Sequence, residues 1–538
     1  MTRIIKAASF ALLLGALFSA SAHAATYTAA SCNESDVASA ISSATTAGSG
    51  NTVAVPSGTC TWTTALSVTL GSSISLSIIG AGSQTTIGGG DVTVIIDNVN
   101  HSSTDYTVSI NTGGPSTSFR WSGITIEANG SSTTSNNGVF ILGGTSQAVR
   151  VDHCHFYMLN QLEVDITTQI YGVFDHDLFD QADLGIRHLG GNWNGSSPGT
   201  GDSNGDGAWN DTTTLGSNRY VYVENSTFNS TSAGTPTPSN DCLTGGRFVF
   251  RYNTFTGGGA LQTHPTGHAG DDRGCRAWEI YNNTFGDTTS SNPEFNMFFA
   301  SAGTGVIWGN TVTNYQNFVS IHAMRADDST YAQTAPPNGW GYCGTQVNGT
   351  GSNWDQNTST VTGYACLDQP GRGKGDLLSG TFPTKCDTTA GCSTYTGTWP
   401  NDALEPIYEW MDSWTGASGY PGSFWNVYDT GDFMANRDYY LWCSSSSPSG
   451  CTSFTGAAGV GSGTLSARPA TCTTGVGYWA TDQGSWNQSG SGGQGELFVC
   501  TATNTWGSTP YYTPYTYPHP LTATTPPAPA SNAKGVGY

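Results

Sequence analysis

The sequence has 538 residues, of which 71 are glycine and only 10% are charged, with a formal charge of −21. Few charges and abundant Gly, Ser, Thr and Asn suit a turn-dense all-β protein. An acidic chain with four lysines argues against nucleic acid as a partner, and it would repel a polyanion unless divalent cations or a local arginine patch intervened.

Arg3 and Lys6 precede an apolar run, Phe10 to Phe18, and then Ala22-His23-Ala24, a small-x-small cleavage site. That pattern predicts a secretory signal peptide over 1–24. No later stretch is apolar for long enough to span a bilayer. A secreted, extracellular chain is expected, in the periplasm or on the cell surface if not released. Residues 33–44 read as a short amphipathic helix with Val37 and Ile41 on one face and Asn33 or Ser35 as its cap. Its expected role is to cover the open first coil of a solenoid. Strands follow at Thr52–Val55, Ser75–Ile79 and Val92–Ile96, and the repeat proper is expected to begin near Phe119.

From Arg120 to Val312 one phrase recurs, first as Val151-Asp152-His153-Cys154-His155-Phe156 and Phe174-Asp175-His176-Asp177-Leu178-Phe179. It returns as Val223-Glu224-Asn225-Ser226-Thr227-Phe228, Phe250-Arg251-Tyr252-Asn253-Thr254-Phe255, Ile280-Tyr281-Asn282-Asn283-Thr284-Phe285 and Ile307-Trp308-Gly309-Asn310-Thr311-Val312. Successive turn residues lie 23, 49, 27, 30 and 27 positions apart, so each copy is one unit with a loop of variable length. Alternation puts Ile280, Asn283 and Phe285 inward and Tyr281 and Thr284 outward, with a kink at Asn282. Stacking the copies makes an internal column of Phe156, Phe179, Phe228, Phe255 and Phe285. A second column, Asn253, Asn283 and Asn310, can bond to the next coil's backbone at a rung spacing of about 4.8 Å. The fold read from this is a right-handed parallel β-helix, and the chain resembles the pectate-lyase-like superfamily of secreted β-helix proteins.

A further strand precedes each phrase, at Val139–Leu142, Leu162–Asp165, Leu184–His188, Asp241–Thr244, Leu261–His264, Phe295–Phe299 and Phe318–Met324. After three of these the chain swells into insertions, 189–218, 265–276 and 326–403, all leaving one edge. Insertions stacked on one edge usually build a binding face. Polar residues at those strand ends are the candidates for chemistry. Arg187, His188, His264, Asp271, Asp272 and Arg273 are the catalytic candidates, and Asp165, Asp241, His322 and Arg325 the substrate-binding ones. A polysaccharide lyase needs a cation at the uronate carboxylate and a base for the acidified proton, and in the superfamily it resembles Arg commonly serves both roles. A glycosidase needs two carboxyls flanking one bond, and Asp241, Asp271 and Asp272 are available for that. The superfamily's usual signatures are not intact: Gly267-His268-Ala269-Gly270-Asp271-Asp272 is only loosely similar to the polygalacturonase pieces.

Asp202-Ser203-Asn204-Gly205-Asp206-Gly207 matches D-x-[DN]-x-[DN]-G, an oxygen-rich turn for Ca²⁺, with Asp202, Asn204, Asp206 and Asp211 as ligands. The outward column Asp152, Asp175, Glu224, Arg251, Tyr281, Trp308 is expected to be a solvated face, partly neutralised by Arg251.

Proximity pairs the cysteines as Cys32–Cys60, Cys242–Cys275, Cys343–Cys366, Cys386–Cys392, Cys443–Cys451 and Cys472–Cys500, leaving Cys154 a buried free thiol. The β-helix is expected over 25–465, a small disulfide-closed C-terminal β cap over 466–521 and a Pro/Ala-rich disordered tail over 522–538. The run Cys366-Leu367-Asp368-Gln369-Pro370-Gly371-Arg372-Gly373-Lys374-Gly375 resembles a phrase of a poorly characterised group of secreted bacterial β-helix proteins. The resemblance extends to Arg276–Phe285, Ala403–Pro406, Asn436–Tyr440 and Tyr515–Pro520, and implies no established activity. The expected function is action on an extracellular polysaccharide, most readily as a lyase of an acidic one. A glycoside hydrolase and a non-catalytic carbohydrate-binding surface protein are the alternatives.

Overall fold

The computed structural model describes residues 24–100, 106–129, 140–157, 164–180, 209, 212–230, 239–265, 274–288, 293–322, 368–373, 404–428, 433–443 and 453–523, and the backbone alone of 186–189 and 403. The expected signal peptide, except Ala24, and the chain after Ala523 lie outside these residues.

The protein is all-β, with long stacked parallel sheets. Twelve strands form the longest, from Thr26–Thr28 through Ala148–Asp152, Gly172–Asp175, Val221–Glu224, Arg247–Arg251 and Ala277–Tyr281 to Ile407–Trp410 and Tyr439–Tyr440. Ten strands form a second, which includes His155–Tyr157, Leu178–Asp180, Thr227–Asn229, Thr254–Thr256 and Thr284–Gly286. Shorter strands complete each circuit in a five-stranded sheet (Leu66–Thr69 to Ile186–Leu189) and a four-stranded one (Leu261–Gln262, Asn296–Ala300, Asn317–Ile321, Trp425–Val427). Successive strands visit the sheets in turn, an order compatible with a parallel β-helix.

The kink between the two long sheets has a local cause. His153, His176, Asn225, Tyr252 and Asn282 all adopt a left-handed backbone with φ between 53° and 59°, and Gly309 takes the same place at φ 67°. One such residue turns the chain sharply and reverses the in/out parity. Past that turn, the expected columns form. Phe156, Phe179, Phe228, Phe255 and Phe285 stack with centroids 5.1, 4.6, 4.6 and 4.2 Å apart. In the adjacent column the backbone N–H of Asn253 donates to Oδ1 of Asn283 at 3.0 Å, and that of Asn283 to Oδ1 of Asn310 at 3.0 Å. The ladder runs further than expected. It starts where Asp177 accepts from Cys154 N–H, passes Ser226, and ends where Asp412 accepts from Asn310 N–H at 2.7 Å.

The helix Glu34–Ala47 buries Val37, Ala40, Ile41 and Ala44 against the first coil. Asn33 is its N-cap by position, but its side chain makes no capping bond; the Ser31 hydroxyl accepts from Asn33 N–H and donates to Asp36 instead. Parallel stacking begins well before Phe119. Thr26 already pairs with Thr52, and Asn51–Ala54 with Leu76–Ile79, in keeping with a β-helix expected from residue 25. Those early coils carry Gly and Ser where later ones carry the phrase.

Disulfides join Cys32–Cys60, Cys242–Cys275 and Cys472–Cys500, and Cys154 is a buried free thiol. Cys443 is bonded, but its expected partner Cys451 and the pairs Cys343–Cys366 and Cys386–Cys392 lie outside the described residues. Among the described residues no helix is long and apolar enough to cross a membrane.

The column expected to be solvated is not. Asp152, Asp175, Glu224, Arg251 and Tyr281 are all fully buried, and Trp308 nearly so. The covering layer is the C-terminal sheet of Val460–Gly463, Gly477–Ala480, Glu496–Ala502 and Thr505–Trp506, together with the chain 511–519 and the short 3-10 turn Pro520–Ala523 that follows it. Tyr222, Val249, Trp308 and Trp410 of the long sheet pack with Trp479, Trp486, Leu497 and Tyr512 in a second apolar core. The unit read as an end cap thus lies along the flank of the long sheet.

Candidate functional site

Parts of all three insertions meet at one backbone position, Gly274. The buried indole of Trp209, from the first insertion, donates its Nε1–H to the Gly274 carbonyl at 2.9 Å. Oδ2 of Asp368, from the third, accepts from Gly274 N–H at 2.8 Å. Gly274 itself belongs to the second. A Cβ there would stand 2.7 Å from the Ala302 Cβ and 2.9 Å from the His264 carbonyl oxygen, so only glycine fits without a shift. Next to it the Cys242–Cys275 disulfide ties neighbouring coils. Arg276, fully buried, reaches Glu405 at 2.7 Å and lies 5.2 Å from the Trp209 ring.

His264 stands at this junction. Its backbone N–H donates to the Cys242 carbonyl at 2.7 Å, and its own carbonyl accepts from Cys275 at 3.1 Å. Its ring is partly exposed, with Nδ1 3.4 Å from Oδ2 of the nearly buried Asp241. A carboxylate beside Nδ1 orients an imidazole, the arrangement in which histidines serve in proton transfer. Two rungs further along, His322 lies 5.8 Å from the Phe299 ring and 5.1 Å from Tyr428. Tyr428 is 45% exposed. Strand alternation puts Gln262, Phe299, Ser320 and Asn426 in one register column of this four-stranded sheet. Acid, base, amide and aromatic groups therefore share one sheet and the end where the insertions emerge.

The other candidates divide. Asp165 and Arg187 pair in register in the five-stranded sheet, and a bulge between that pair and Ile166–Leu189 leaves His188 as the extra residue. Asp165 is buried and accepts from the Tyr106 hydroxyl at 2.8 Å. Burial and then Asp165 push the Tyr106 hydroxyl well up from its ordinary value. Asp271, Asp272, Arg273 and Arg325 lie outside the described residues, as do all four expected calcium ligands, Asp202, Asn204, Asp206 and Asp211. Among the described residues no group of three or more His, Cys, Asp or Glu side chains is arranged to hold a metal ion.

Sequence reasoning missed a polar cluster on the second long sheet. The buried His155 has Nδ1 3.1 Å from Asp91 and Nε2 3.8 Å from Asp180, while Thr125 and Gln84 also reach toward Asp91 or the ring. Asp91 sits in a loop with no repeat signal, so nothing in the phrase points to it. Phe299 and Tyr428 were missed too, though Phe299 is legible as the outward member of an alternating strand.

No family model matches the chain, and neither a curated protein nor a solved structure matches it.

Proposed function

We propose that the chain is a secreted right-handed parallel β-helix of the pectate-lyase-like kind that acts on an extracellular acidic polysaccharide by β-elimination. The observation that carries this reading is the contact of His264 with Asp241 at 3.4 Å beside the junction of the three insertions. In the reaction His264 Nε2 takes the proton α to the uronate carboxylate. A double bond forms to the neighbouring carbon, the bond from that carbon to the leaving sugar oxygen breaks, and the oxygen is protonated by solvent. Arg187, Arg273 and Arg325 are the proposed cations that offset the uronate charge, and the acidic turn 202–211 is the proposed Ca²⁺ site. His322 is proposed to bind a flanking sugar, with Phe299 and Tyr428 as platforms for sugar faces, while the buried Asp165, which holds the Tyr106 hydroxyl, is left a structural role.

The exposed Tyr428, beside the half-buried Phe299, also favours a second reading, a non-catalytic carbohydrate-binding surface protein. Incubation with a panel of acidic and neutral polysaccharides separates the readings. Ultraviolet-absorbing unsaturated ends with new reducing ends mean a lyase, reducing ends alone a hydrolase, and retention without either a binder.

A further inference from the structure

At the kink between the two long sheets, His153 and His176 occupy the same place in consecutive coils. Their rings stack with centroids 5.1 Å apart and planes 6° apart. Each Nδ1 meets the carboxylate of the preceding residue, His153 to Asp152 at 2.8 Å and His176 to Asp175 at 2.9 Å. Those carboxylates are themselves buried and gripped by arginine: Arg120 donates twice to Asp152 and Arg150 twice to Asp175. An ionised acceptor makes Nδ1 the protonated nitrogen in both rings, which leaves Nε2 the lone-pair nitrogen. The two side chains are 47% and 48% exposed while their carboxylates are wholly buried, so the outer edge of each ring faces solvent.

We propose that His153 and His176 form a site for a single borderline divalent transition ion of the Zn²⁺, Ni²⁺ or Cu²⁺ class, held by the two Nε2 atoms and completed by water. The arrangement has the orienting layer such sites use, a carboxylate on the far nitrogen that fixes the tautomer and raises the basicity of the ligand. Imidazole suits these ions better than hard oxygen-seeking Ca²⁺ or Mg²⁺, and the two carboxylates at hand are already held by arginine. Parallel rings anchored alike hold their Nε2 atoms about one rung apart, about 5 Å. A tetrahedral ion with metal–nitrogen distances of about 2.0–2.1 Å needs the nitrogens about 3.3 Å apart. The rings, stacked parallel as they stand, must therefore turn toward one another until both Nε2 lone pairs converge on the ion, a rotation about the side-chain torsions of two half-exposed residues. The ion would staple consecutive coils on a face separate from the His264 edge.

The test is calorimetric titration of the metal-stripped full chain with Zn²⁺, for the wild type, His153→Gln and His176→Gln. One ion per chain at this pair is expected, with each substitution weakening it by about tenfold or more. A second readout needs no variant: long-range ¹H–¹⁵N spectra of the wild type should show Zn²⁺ shifting the Nε2 resonances of two imidazoles whose Nδ1 is protonated. Affinity unchanged in both variants, or Zn²⁺ leaving those two imidazoles unshifted, overturns the proposal.

Discussion

The backbone N–H of His519 donates to Oε1 of Glu224 at 2.8 Å, a buried contact between residues 295 positions apart. It is one of a row. Tyr512 donates its hydroxyl to Glu279 at 2.8 Å, and Arg251 reaches the carbonyls of Tyr515 and Thr516 at 2.8 and 2.9 Å. Tyr517 donates to Asn225, and Arg150 reaches the carbonyls of Leu521 and Thr522. The chain from Tyr511 to Thr522 is thus a strap along the flank of the long sheet, bonded at successive coils to charges that would otherwise face water.

Arg251, on the long sheet, anchors that strap, since besides its two strap carbonyls it pairs with Glu224 at 2.6 Å and donates to Tyr281 at 2.9 Å. Arg251→Met leaves Glu224 buried without its cation, and a loss of about 3–5 kcal/mol in urea unfolding is expected. The double substitution Arg251→Met with Glu224→Leu should be less damaging than the single one, because no uncompensated charge remains. A double variant that unfolds as easily as the single would show that the pair itself, not the stranded charge, carries the effect.

The strap also sets a pH dependence with two opposed windows. Burial raises Glu279 from 4.5 to about 7. Between those values the folded chain holds a proton that the unfolded chain has lost, so this term is full below pH 4.5 and is lost as pH rises toward 7. Its size is on the order of 3 kcal/mol, at about 1.4 kcal/mol per pKa unit. Burial, then Arg251 and Arg150, lower His519 from 6.5 to about 3. There the unfolded chain binds the extra proton, so stability is lost as pH falls from 6.5 toward 3. Glu294 and Glu409 are also raised to about 7 and His155 is also lowered, so urea midpoints measured against pH should show the first trend weakened in Glu279→Gln and the second weakened in His519→Gln.

In the asparagine ladder, Asn283 accepts from Asn253 N–H and donates Nδ2–H to the Phe250 carbonyl at 2.9 Å. Asn283→Leu fits an apolar side chain into that column but strands these groups, at about 1–3 kcal/mol for each that stays unpaired. Thr284→Ser, on the exposed neighbour, should be within about 0.5 kcal/mol of wild type. Equal melting temperatures for Asn283→Leu and wild type would remove the ladder from the account of stability.

How far the fold was legible follows from where each signal sits. The Phe and Asn columns were readable because each member keeps one position in a short phrase, and stacking demands like beside like. The buried flank was not, because Asp152, Asp175 and Glu224 look like ordinary outward carboxylates. Their covering strap lies some 300 residues downstream and has no period, as the Glu224–His519 contact shows. One clue was present: Tyr222, Val249, Trp308 and Trp410 occupy outward positions too, and so large an apolar stripe requires a cover. For the candidate site, strand ends located Asp241, His264 and His322. The Gly274 junction was invisible because Trp209 and Asp368 reach it from loops without repeat.

If the proposed calcium turn 202–211 holds its ion, a Ca²⁺-selective chelator should lower the melting temperature, and Asp206→Ala should abolish that sensitivity. A wild-type curve indifferent to chelator would discard the ion.

The central claim rests on His264 as the base of an elimination. The most direct measurement is the rate at which an acidic polysaccharide gains ultraviolet-absorbing unsaturated ends, compared between wild type and His264→Ala, with melting temperatures taken alongside. The wild type should form such ends. The variant should lose at least about tenfold in kcat/KM, about 1.4 kcal/mol of transition-state stabilisation, while its melting temperature holds, because a partly exposed ring contributes little to the core. A His264→Ala protein that forms unsaturated ends at the wild-type rate, or a wild type that forms none on any acidic polysaccharide, would contradict the account.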